Sequence, residues 1–173
     1  MTRYVQRTLG AGLILALCAA AAGAQCTVTA AGSCTQTRAF SMTVQRTVRV
    51  TVTPTTATLG NPTVTDFDNG FSVALGQTAV VKANNSWQIL ISSSQTLWTA
   101  GGGGRANKPR ADLLWSTALA GTYTAISGTA TQVATGTATA STSISLYYKI
   151  IWAYNLDIPG SYTLPVTITV SAP

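Results

Sequence analysis

Histidine and glutamate are both absent from the 173 residues, and Asp66, Asp68, Asp112 and Asp157 are the only carboxylate side chains. Without histidine, neither a Ser-His-Asp nor a Cys-His arrangement can be built, nor a His-ligated zinc site. Two-carboxylate sugar hydrolysis needs acids on both sides of the scissile bond, and Asp66 and Asp68 are the only pair close in sequence. The inventory is that of a chain that is not an enzyme and carries no cofactor and no metal.

Long apolar runs are scarce too. The uncharged stretch Leu9–Ala22 falls short of the roughly 20 residues that span a bilayer as a helix. It follows Arg3 and Arg7 and ends at Ala22-Gly23-Ala24, the order of a cleavable signal peptide. Residues 1–24 are therefore expected to be removed, with cleavage before Gln25. Residues 25–173 are expected as one secreted domain, at the cell surface or in the periplasm, without a transmembrane span. Cys18 would leave with the leader. Cys26 and Cys34 would remain as an even pair in an oxidising compartment, where a disulfide is the expected state. It would close the amino-terminal segment 25–38, and small loops of this kind contribute up to about 3 kcal/mol.

Loss of Arg3 and Arg7 leaves eight basic side chains against four acidic ones, a formal charge of +4. The balance is basic through scarcity of acids, with no clustered stripe of Lys and Arg, so nucleic acid is not an expected partner.

What the sequence has is alternation. Phe40, Met42, Val44, Val48, Val50 and Val52 are apolar, and the residues between them are mostly polar, the period of a half-buried strand. Arg46 interrupts the row, and a bend is expected there because a strand from Phe40 to Val52 would span roughly 43 Å. Further strands are expected over Gly70–Leu75, Thr78–Ala83, Trp87–Ser92, Asp112–Ser116, Thr122–Ile126, Ser143–Ala153 and Ser161–Ser171, and no useful helical period occurs. Turn residues separate these runs, and Gly128–Thr142 reads as a low-complexity loop or a weak edge strand. The fold class that results is all-β: an antiparallel β-sandwich, Ig-like or pilin-like. A small outer-membrane barrel shares the alternation.

Three features could carry binding. Asp66-Phe67-Asp68-Asn69-Gly70 reads as a hairpin-type turn with its acids in solvent, a calcium site being the alternative. The run from Gly101 to Arg110 joins four glycines to Arg105, Lys108 and Arg110; it reads as a surface loop, with anion contact as its alternative. Trp98, beside that loop, is the aromatic expected at a binding surface. Trp87 and Tyr162 align with apolar neighbours as core, and Tyr148, Ile150 and Trp152 share one strand face.

Near the carboxyl end, Pro159-Gly160-Ser161-Tyr162 and the row Val166, Ile168 and Val170 resemble the closing strand of the WxL cell-wall-binding family. Asn84-Asn85-Ser86-Trp87-Gln88-Ile89 stands where that family has its first Trp-x-Leu, with Ile89 in place of leucine. The same closing strand is similar to those of chaperone-usher pilins and spore coat U domains. The resemblances imply a surface domain with a structural or adhesive role, a wall- or polysaccharide-binding module, or a subunit of a pilus-like fibre. The partners implied are a cell-wall component, a polysaccharide, a surface protein, or another copy reached through an edge strand.

Overall fold

The computed structural model describes residues 28–57 and 59–173. The expected leader and Cys26, hence the expected Cys26–Cys34 bridge, lie outside the described residues. Residues 28–47 run without helix or strand and are solvent-exposed.

From Val48 onward the chain is an antiparallel β-sandwich. One sheet has five strands in the order β1 (Val48–Thr53), β2 (Phe71–Ala83), β8 (Thr139–Ile151), β5 (Leu113–Ser116) and β6 (Thr124–Ala125). The second has three, β10 (Thr167–Ser171), β3 (Trp87–Ser92) and β7 (Thr131–Gly136), and a short pair joins β4 (Thr99–Gly101) to β9 (Ser161–Thr163). Alternation decides which face is inside: Ile91 of β3 clusters with Leu146, Tyr148 and Ile150 of β8, and Trp87 and Ile89 of β3 cluster with Ala79 and Val81 of β2, all buried. Each large apolar side chain removed from water in this way contributes about 1.5–3 kcal/mol.

Several expectations are corrected. The strand expected over 40–52 begins only at Val48. Val48 pairs with Ala83, the last residue of β2, so the amino half has no partner strand beyond it. Asn84 closes the ladder instead: its Oδ1 accepts from the Thr47 amide at 2.8 Å, and its Nδ2 donates to the Gln45 carbonyl at 2.8 Å.

The two strands expected on either side of Gly76 are one, β2, with a shift of register between Leu75 and Gln77 opposite β8. Gly76 is there because a Cβ would collide with the Tyr148 ring. The strand expected over 161–171 is divided into β9 and β10 around Pro165, which has no amide hydrogen for a ladder. Ser93 Oγ donates to the Pro165 carbonyl at 2.6 Å. Gly128–Thr142 supplies β7, an edge strand, and the beginning of β8.

The expected turn at Asp66–Gly70 is the end of a short helix, α1 (Val64–Asn69). Thr63 and Asp66 form a capping box, and Gly70, at φ 75°, closes the carboxyl end in the left-handed region. No helix among the described residues is long and apolar enough to cross a membrane.

Candidate functional site

The glycine loop and its cations fold inward. Residues 96–98 and 108–110 lie antiparallel: the Trp98 amide donates to the Lys108 carbonyl and the Arg110 amide to the Thr96 carbonyl, each at 2.9 Å. Gly102 and Gly103 turn the chain at φ 62° and 89°, conformations that L side chains rarely adopt. Gly160 packs against the backbone of Gly104 with no room for a Cβ. The Arg105 amide donates to the Tyr162 hydroxyl at 2.9 Å, and that hydroxyl donates to the Ile158 carbonyl at 2.6 Å. The loop is thereby pinned to the segment that follows β8.

These pins place Lys108 inside the molecule, fully buried, although a lysine among glycines reads as solvated. Its Nζ donates to Asp157 Oδ1 at 3.0 Å, to Asp112 Oδ2 at 3.2 Å and to the Ile151 carbonyl at 2.7 Å. The same nitrogen lies 4.5 Å from the Trp152 ring centroid and 6.0 Å from that of Tyr162. Arg105 Nη1 reaches Asp157 Oδ1 at 3.4 Å and Asp112 Oδ2 at 3.9 Å, so two cations face two carboxylates. Asp157 Oδ2 accepts from the Ala153 amide at 2.9 Å, and the Asp157 amide donates to the Ala153 carbonyl at 2.8 Å, which fixes this carboxylate within its own turn. Arg110 donates to the carbonyls of Ser93 and Gln95 at 3.0 and 2.9 Å. The three cations considered for anion contact therefore point at carboxylates and carbonyls of the chain itself.

Trp98 is buried, not displayed. It lines an open cavity of about 620 Å³ together with Leu113, Tyr148, Trp152, Tyr162 and Leu164. Its indole Nε1 is buried and has no hydrogen-bond partner among the described residues, and such a donor costs free energy until something accepts from it. The Trp152 Nε1, by contrast, donates to Ser72 Oγ at 2.8 Å.

The Asp66–Asp68 pair is committed to structure. Asp66 Oδ2 accepts from the Thr63 amide and hydroxyl at 2.7 and 2.8 Å, and the backbone bond, followed by the hydroxyl, lowers its pKa. Asp68 Oδ1 accepts from the Tyr154 hydroxyl at 3.0 Å. No group of three or more metal-ligating side chains occurs among the described residues.

One further feature escaped the sequence reading. Phe40, Met42 and Val44 are 94%, 87% and 69% exposed, an alternating apolar row on chain that has no strand partner among the described residues. Alternation alone could not show this, because it marks a strand face without saying whether anything covers it.

No family model matches the chain, and no curated protein matches it in sequence.

Proposed function

We propose that this chain is a secreted surface domain with a structural or adhesive role, acting by non-covalent binding and not by catalysis. The observation that carries the reading is the exposed row of Phe40, Met42 and Val44. Apolar side chains in such a row are costly in water, and strand addition to a partner's sheet would bury them while satisfying the backbone. The open cavity beside Trp98 and Tyr148, where aromatic side chains stand with Asn61, Gln77 and Ser161, is the acceptor for such an arm. An arm from one copy seated in the cavity of the next is a head-to-tail contact, which propagates into a fibre when the rotation does not close. The expected leader, the Thr-rich strands and the pilin-like closing strand agree with that address and role.

Sedimentation of the mature protein against concentration tests it. Association is expected, and F40S/M42S/V44S is expected to remain monomeric with the thermal stability of the unaltered domain. A wild-type chain that is monomeric at all concentrations would count against the fibre.

The unpartnered Trp98 Nε1 in that cavity favours a second reading, a cell-wall or polysaccharide-binding module in which a sugar hydroxyl accepts from the indole. Retention on insoluble polysaccharide that falls in Trp98→Ala is its expected signature; no retention on any wall fraction would sink it.

A further inference from the structure

Lys108 and Asp157 are held in contact away from water. Removing an ammonium and a carboxylate from water costs several kcal/mol per ion. Their side chains are 0% and 1% exposed, and the Trp152 and Tyr162 rings form one wall around Nζ. Asp112 Oδ2 touches the same nitrogen at 3.2 Å, and Arg105 faces both carboxylates. A buried nucleophile and acyl carbon are thus assembled beside a partly exposed proton carrier.

We propose that Lys108 and Asp157 condense within the folded chain to an isopeptide bond, with Asp112 relaying a proton. Nζ, as the free amine, attacks Cγ of Asp157; the Nζ–Cγ bond forms and the Cγ–Oδ1 bond breaks. Of the three protons of the original ammonium, one stays on the amide nitrogen and two leave with Oδ1 as water. The first passes along the 3.0 Å contact from Nζ to Oδ1, and the second passes through Asp112 Oδ2. Oδ2 becomes the amide carbonyl and keeps its 2.9 Å bond from the Ala153 amide, which also stabilises the oxyanion of the tetrahedral intermediate. Ammonium plus carboxylate give one amide and one water, so atoms and charge balance.

Positioning supplies the rate: well-oriented intramolecular groups reach effective molarities of about 10⁵–10⁸ M. Trp152 and Tyr162 also line the open cavity, which gives the water a way out. The product ties together residues separated by 49 positions, joining the glycine loop covalently to the segment after β8. The inference does not depend on the association proposed above.

Intact-mass spectrometry of the full chain recovered from a secreting host, reduced and denatured, tests it. The wild-type mass is expected to fall one water below that calculated from the observed amino terminus. Fragmentation is expected to place the loss in a branched peptide holding both Lys108 and Asp157. Lys108→Arg and Asp157→Ala should each carry the full mass. Asp157→Asn should release ammonia in place of water and reach the same product as the wild type. Freshly made Asp112→Asn should retain uncondensed chain, and complete condensation in that variant would overturn the relay. A wild-type chain at full mass, or a missing water that maps to a linear peptide, overturns the proposal, whether or not the variants fold.

Discussion

Tyr148 shows how much one position does in this core. Its ring sits over Gly76, its hydroxyl donates to Gln77 Oε1 at 3.1 Å, and burial pushes its pKa up to about 12. Below pH 10 the folded and unfolded chains both keep the phenolic proton, and the stabilisation is fully present. Between pH 10 and about 12 the unfolded chain releases that proton and the folded chain does not, so stability falls as pH rises. The loss is about 2–3 kcal/mol in all and is complete above the folded pKa. Denaturant unfolding of the wild type and Tyr148→Phe across this range checks it: the difference in slope should vanish below pH 10. Equal slopes throughout would contradict the assignment. At this scale the sequence was informative about apolar faces and silent about Lys108. Tyr148, Ile150 and Trp152 share the expected strand face and are all buried, because period-2 alternation is local. The burial of Lys108 depends on a carboxylate 49 positions away, and no local pattern registers that.

Elements were legible where a partner strand exists. β3 lies over Trp87–Ser92, as its alternation implies, because β10 and β7 flank it. The stretch 40–47 alternates equally well, but β2 ends opposite Val48, so its propensity is never realised within the chain. The helix α1 was hidden for another reason: six residues are under two turns, too short to show a period, and only Thr63 and Asp66 signal its start. In β2 the register shift at Gly76 keeps both halves of the strand paired with β8. Gly76→Val would force a branched side chain into the Tyr148 ring, and a destabilisation of about 1–3 kcal/mol is expected from overpacking. The midpoint of chemical denaturation reads this; an unchanged midpoint would show that the ring can move aside.

For the whole molecule, the sandwich completes its own core, and the described residues include an exposed apolar arm at 40–44 and an open cavity lined by Trp98, whose buried indole N–H has no hydrogen-bond partner among them. Under the proposed association the arm of one copy would sit in the cavity of another, a contact that propagates head to tail when the rotation does not close. The most direct measurement is amide hydrogen exchange over residues 40–47, compared between dilute and concentrated protein. The account expects exchange at free-chain rates when dilute, and strand-like protection when concentrated, alternating along the arm and accompanied by slower exchange at the cavity rim around 161–166. Free-chain exchange at every concentration, in protein that nevertheless associates, would contradict it.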